Sequence, residues 1–226
     1  MFQNLIDLFF PHVCEACRTV LSDNEKVICT SCRHELPITN FHFENNDAIK
    51  NILYGRVKLE NGTALLHFSK KGLVQEMLHN LKYRGHEQVG DFFGNWLGAE
   101  LKTIEAYKRI DIVVAVPMHQ SKRRERGYNQ VTKFGMRIAQ ALQVDYEEDA
   151  LVKIKQTKTQ VFKDRLTRSD TANARFKLGN IEHLKRKHIL LVDDIITTGA
   201  TIEECASLLK SISGVKISLA TMAIAE

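Results

Sequence analysis

Leu190–Thr201 reads LLVDDIITTGAT, and this stretch decides the fold. It is an apolar, β-branched run, then two adjacent carboxylates, a small hydroxyl-rich loop and a helix start. Open α/β sheets bind ligands in the crevice at the C-terminal ends of their strands. The backbone N–H groups of Thr198, Gly199, Ala200 and Thr201 are expected to converge on one point at the helix N-terminus. Partial positive charge there favours a phosphate. Thr197, Thr198 and Thr201 add hydroxyl donors, and Gly199 lets the backbone approach closely. Asp193 and Asp194 are expected one strand-end away, as acceptors for sugar hydroxyls. The plain alternative is an ordinary strand-loop-helix with a solvated Asp pair and threonines that cap the helix.

The segment closely resembles the motif with which type I phosphoribosyltransferases bind phosphoribosyl pyrophosphate (PRPP). Its surroundings agree. From Asp111 onward, apolar runs at Ile112–Val116, Ala150–Ile154, His188–Val192 and Val215–Ala225 alternate with helical periodicity at Gln130–Leu142 and Thr201–Ser213. Strands alternating with helices imply a parallel α/β sheet. After the first run come Val116, Pro117, Met118 and His119, then a basic stretch with Lys122, Arg123 and Arg126. In the type I fold the loop after this strand holds pyrophosphate, and arginine offers a bidentate fork for it. A solvated face or a nucleic-acid patch is the other reading of such a basic run. Residues 155–175 are long, polar and rich in Lys, Arg and Thr. They are expected to form a lid, with Arg165 and Arg168 reaching pyrophosphate on closure. A disordered surface loop is the alternative.

Outward again, residues 53–107 read as a hood-like segment. Leu53–Glu60 and Thr63–Ser69 alternate around Asn61-Gly62, which predicts a β-hairpin. Gly72–Lys82 and Gln88–Tyr107 are periodic helices, and Phe92, Phe93 and Trp96 serve a core or an interface. Residues 37–52 are polar and irregular, a linker. Residues 1–36 hold Cys14, Cys17, Cys29 and Cys32, two CxxC knuckles. Four thiolates suit a closed, tetrahedral, structural Zn²⁺ site, which would supply folding energy that so small a segment lacks. An iron–sulfur site and a redox dithiol are the alternatives. Residues 2–10 have the spacing of a short amphipathic helix before Pro11.

The bulk numbers bound the rest. The chain has 226 residues, 44% hydrophobic and 26% charged, with net charge +5, mildly basic as suits an anionic ligand. No apolar run reaches membrane-span length, and the opening residues lack a basic n-region and a cleavage site. The five cysteines, four of them clustered, argue against a disulfide framework. A cytoplasmic protein is expected. The acceptor substrate and the oligomeric state are not legible.

The whole chain resembles the ComF family of bacterial competence proteins. The likeness rests on Phe10-Pro11 before Cys14, the double CxxC, Leu81–Gly85, Val116-Pro117, Arg126–Gln130, Thr159-Gln160 and VDDIITTGAT. It implies an α/β type I phosphoribosyltransferase fold, a mainly parallel sheet flanked by helices, with a small N-terminal Cys₄ zinc-ribbon module. It further implies PRPP binding with Mg²⁺ and a part in DNA uptake during natural transformation, among competence proteins. The family's lid pattern Arg-x-x-Asn departs here, with Thr171 at the place of the Asn. Lys82 and Arg84 fall in a shared stretch, and with Lys122 and Arg123 they are candidate ligand or nucleic-acid contacts. Three functions compete. One is a glycosyltransferase moving a phosphoribosyl group to an acceptor. Another is a single-stranded-DNA-handling factor in which PRPP regulates or the site is vestigial. The third is a PRPP-sensing transcriptional regulator, which no helix-turn-helix pattern supports.

Overall fold

The computed structural model describes residues 11–154 and 175–225. Three short helices come first: α1 (Thr30–Glu35), α2 (Phe41–Glu44) and α3 (Ala48–Ile52). Strand β1 (Gly62–Phe68) leads into α4 (Leu73–Tyr83) and α5 (Gln88–Leu101). Then follow β2 (Ile112–Ala115), α6 (Gln120–Arg126), α7 (Thr132–Leu142) and β3 (Asp145–Glu147). The short strands β4 (Leu151–Lys153) and β5 (Phe176–Leu178) pair antiparallel with each other. β6 (His188–Ile196), α8 (Ala200–Lys210) and β7 (Lys216–Ala225) complete the described chain.

The main sheet has the order β1-β7-β6-β2-β3, and every pairing in it is parallel. The path from β2 to β3 moves one way along the sheet, and the path from β6 to β7 moves the other way. Right-handed crossovers running in opposite directions put their helices on opposite faces. Accordingly α7 packs Phe134 and Ile138 against Val113, Leu190 and Val192 on one face. α8 packs Ile202, Cys205 and Leu209 against Val114, Leu191 and Leu219 on the other.

The cysteine module is part of the first face. Cys14, Ile28, Cys32 and Leu36 share a cluster with Val74, Met77, Leu78 and Leu81 of α4 and with Phe93 and Leu97 of α5. Phe93 is fully buried. Trp96 is half-buried, donates to Glu100 Oε1 at 2.7 Å and lies 5.6 Å from the Arg33 guanidinium of the module.

Three expectations are corrected. Asn61-Gly62 is not a hairpin turn, because β1 begins at Gly62 and pairs parallel with β7, Gly62 opposite Leu219. Residues 53–60 form no strand. Gly62 is needed for close approach, since a Cβ there would lie 2.6 Å from Ile49 Cγ2. Residues 37–52 also carry more than a linker: α2 and α3 lie here, with Phe41, His42 and Ile49 buried. His42 Nδ1 meets Thr63 Oγ1 at 2.9 Å and its Nε2 meets Glu100 Oε2 at 3.0 Å, which ties this segment to β1 and α5. The basic run after β2, expected as a loop, is the helix α6.

Candidate functional site

The sheet has a step in it. β2 pairs with β6 only as far as Ala115 opposite Val192, with one further bond from Val116 N to Val192 O at 2.9 Å. β6 continues to Ile196 against β7. Asp193 and Asp194 therefore lie within the strand and beyond the end of β2. They lie at the point where the sheet's connections diverge, the position at which open α/β sheets form the crevice that takes ligands.

Strand alternation sends the two adjacent carboxylates to opposite faces. Asp194 joins the α4–α7 face, where its Oδ2 accepts from Gln130 Nε2 at 2.8 Å and pairs with Lys82 Nζ at 2.9 Å. Asp193 belongs to the α8 face and accepts from the Asp194 N–H at 2.8 Å. Burial, then repulsion from Asp194, pushes the Asp193 carboxyl up to about 8, against the pull of the Asp194 N–H, Lys82 and Lys153.

The loop after β6 ends at Gly199, φ 76°, in the left-handed region that glycine alone enters freely. No side chain caps α8, which leaves its first-turn N–H groups to face an anion. Thr197, Thr198 and Ala200 are exposed and Thr201 is partly so. From behind, the segment after α3 braces the loop. Arg56 Nη2 donates to Thr198 O at 2.9 Å and Arg56 Nη1 to Glu203 Oε2 at 2.8 Å. A Cβ on Gly199 would lie 2.8 Å from Leu53 Cδ2.

Val116 follows β2 and is buried, and Pro117, Met118 and His119 after it line a cleft of about 570 Å³ that Lys153 and Ile154 also line. Asn129 Nδ2 holds Val116 O at 3.2 Å, and His119 Nδ1 accepts from Ser121 N at 3.2 Å to start α6. Arg126 turns inward, stacking 4.8 Å from the Tyr83 ring and donating to Gln130 Oε1 at 3.1 Å. Lys122 and Arg123 are exposed, and Arg123 lies 3.6 Å from Glu148. Arg84 turns away from the crevice, to Asn80 at 2.9 Å and Glu76 at 3.3 Å. Arg165 and Arg168 lie outside the described residues, as do the other residues of 155–174 in the expected lid and the expected first helix.

Sequence reasoning missed three contributors. Gln130 stood inside a motif but carried no assigned role. Lys153 was an ordinary strand residue, and Arg56 lay in a segment misread as a hairpin arm.

At the other end, the Sγ atoms of Cys14, Cys17, Cys29 and Cys32 all lie within 4.8 Å of one another. A zinc–sulfur bond of about 2.3 Å implies sulfur–sulfur edges of about 3.8 Å. Cys17 and Cys29 are 3.7 Å apart, so the set fits the ion. None of these cysteines forms a disulfide. The Cys29 N–H points to Cys14 Sγ at 3.3 Å, and hydrogen bonds from the Thr19 hydroxyl and backbone hold the Cys17 thiol down at about 6. Four cysteines and no open position suggest structural zinc.

Residues 132–224 match the phosphoribosyl transferase domain family. The chain carries a phosphoribosyl transferase domain. The matched span runs from α7 through β7 and includes both aspartates and the whole loop after β6. The domain's mainly parallel sheet flanked by helices is the type I phosphoribosyltransferase fold, here joined to an N-terminal four-cysteine cluster. Beyond the domain, the chain is homologous to two kinds of bacterial protein. It is 28% identical over 141 residues to the DNA utilization protein YhgH of Escherichia coli (strain K12), covering 60% of each. It is 27% identical over 143 residues to the competence protein ComFC of Streptococcus pneumoniae, covering 63% of this chain and 60% of that one. The resemblance to the ComF family read from the sequence is thus borne out. The match spans about 60% of the length of these relatives. Among solved structures, the glutamine PRPP amidotransferase of B. subtilis is 18% identical, with a TM-score of 0.43, covering 62% of this chain and 30% of that one. Among the described residues, no helix is long and apolar enough to cross a membrane.

Proposed function

We propose that the domain binds PRPP together with Mg²⁺, and that the phosphoribosyl group passes to an acceptor with release of pyrophosphate. The observation that supports this most is the step in the sheet. It brings two buried carboxylates and an uncapped helix start to one crevice at a topological switch point. In this reading the N–H groups and hydroxyls of residues 197–201 donate to the 5′-phosphate. Asp193 and Asp194 accept from the ribose hydroxyls. Residues 116–119 face the diphosphate, with Arg126, Arg165 and Arg168 as candidate cations around it.

Two carboxylates on opposite faces do not make a closed cage. Mg²⁺ would therefore be carried in on the diphosphate and keep several waters. When bound, Mg²⁺ neutralises the charge that builds on departing pyrophosphate. The protein's own contribution is position and electrostatics. Asp194, paired with Lys82, presents little net charge to a polyanion. Asp193, holding a proton more tightly than usual, presents less than a free carboxylate.

The acceptor belongs to a role in DNA uptake. The relatives named for competence and DNA utilization support that role. The test incubates zinc-loaded protein and Mg-PRPP with bases, amines and single-stranded oligonucleotides, and reads pyrophosphate. At least one acceptor is expected to release it, and Asp193→Asn/Asp194→Asn to abolish release. PRPP binding without release across the panel would overturn the transferase reading in favour of a DNA-handling factor that PRPP regulates.

A further inference from the structure

Glu15 stands between two cysteines of the metal site, yet its side chain turns to α4 and the start of α5. It is only 5% exposed. Its Oε2 accepts from Asn80 Nδ2 at 3.0 Å and meets His86 Nδ1 at 2.7 Å, and its Oε1 accepts from Gln88 Nε2 at 2.8 Å. Its backbone carbonyl accepts from the same Asn80 amide at 2.9 Å. A buried carboxylate is costly unless its lone pairs are satisfied. Here they are satisfied by the last turn of α4 and the connection to α5.

That same turn reaches the crevice. Residues two apart on a helix project to different sides. Asn80 faces the cysteine module, while Lys82 carries its ammonium to Asp194 Oδ2 at 2.9 Å. The Tyr128 hydroxyl donates to Leu81 O, and the Arg126 guanidinium lies over Tyr83. The last turn of α4 is therefore held from one side by the first CxxC knuckle and from the other by the loop that leads to Gln130. A small rotation of this turn would move the Lys82 ammonium off Asp194. Asp194 would then keep its bond from Gln130 but lose its cation, beside Asp193, where a polyanion has to land.

We propose that Glu15 is a positioning residue for the ligand site. By clamping Asn80 it fixes the rotation of the last turn of α4 and delivers Lys82 to Asp194. The cysteine module thereby tunes the charge of the crevice without touching the ligand. The inference rests on the PRPP reading given above. It also predicts that releasing the first knuckle, by stripping the metal, loosens Lys82.

The experiment uses the zinc-loaded full chain as wild type, Glu15→Gln, Lys82→Met and the double variant. Three readouts are taken: zinc content, amide hydrogen exchange of residues 81–84 without ligand, and Mg-PRPP affinity by calorimetry. Glu15→Gln is expected to keep its zinc, to speed exchange in the turn and to weaken Mg-PRPP binding about tenfold. Lys82→Met is expected to weaken binding more, and the double variant no further than Lys82→Met alone. Wild-type exchange and affinity in zinc-loaded Glu15→Gln would overturn the proposal, as would losses that multiply in the double variant. If Glu15→Gln loses zinc, Asn80→Ala replaces it, since that change leaves the module's sequence intact. If wild type binds no Mg-PRPP, the ligand reading fails. The exchange comparison then decides alone, faster exchange supporting the clamp and unchanged exchange overturning it.

Discussion

The two walls of the crevice carry the same residue type and treat it differently. On the α4–α7 wall, Asp194 is met by Lys82 and Gln130 within 3 Å. On the α8 wall, Asp193 is buried, the neighbouring N–H is its close donor among the described residues, and burial pushes its carboxyl up to about 8. One wall meets its acid with a cation, and on the other burial favours the protonated acid. Both lower the negative charge that a polyanionic ligand meets, and only the first does so by a contact that one substitution can remove.

The comparison can be broken at several points. The largest effect is expected from Gly199→Val. It forces a β-branched residue into a left-handed backbone and drives its Cβ into Leu53. Mg-PRPP binding should fall beyond detection by calorimetry while the zinc content stays at wild-type level. Unchanged binding would mean that the phosphate sits elsewhere.

Next is Lys82→Met, which strands a buried carboxylate. The Lys82 side chain is 22% exposed, so solvent softens the penalty to about 2 kcal/mol of unfolding free energy. Urea denaturation reads the loss. Lys82→Met/Asp194→Asn should recover most of it, and failure to recover would show that Lys82 acts through something other than Asp194.

Asp193→Asn sharpens the contrast through pH. The folded carboxyl titrates near 8 and the ordinary value is 3.8. The extra stability from its retained proton is full below the ordinary value and is lost as pH rises through the folded value. The wild type should therefore lose melting temperature against Asp193→Asn as pH rises from about 5 to about 8. A constant difference across that range would contradict a proton-holding Asp193. The smallest effect is expected from Arg56→Ala. Its ion pair with Glu203 is over a third exposed on both sides, so stability should change by less than about 1 kcal/mol. Loss of its bond to Thr198 O should still cost a few-fold in Mg-PRPP affinity by calorimetry.

Much of the molecule was legible in the chain because strong local patterns and the final structure agree. The runs Ile112–Ala115, Ile189–Val192 and Ile217–Ile224 are buried throughout, and such runs read as central parallel strands. Thr-Thr-Gly-Ala-Thr is a local motif whose geometry needs no distant partner. The double CxxC announces its own cluster. What escaped depends on contacts between segments far apart in sequence. Gly62 carries a turn signature, yet it is glycine because Ile49 of α3 packs onto it. The Asp pair was expected at the end of its strand, and only the β7 ladder shows β6 running on to Ile196. Strand alternation then parts the two carboxylates, a consequence that no reading of a loop could contain. Glu15 reads as a spacer between ligands, and its partners lie beyond α4.

The central claim is that the crevice beyond the end of β2 is a PRPP site. Calorimetry of the zinc-loaded protein with PRPP and Mg²⁺, wild type against Asp193→Asn/Asp194→Asn, tests it most directly. One site per chain is expected in the wild type, with loss of binding in the folded variant. No binding by folded, zinc-loaded wild type, or equal binding by both proteins, would contradict it.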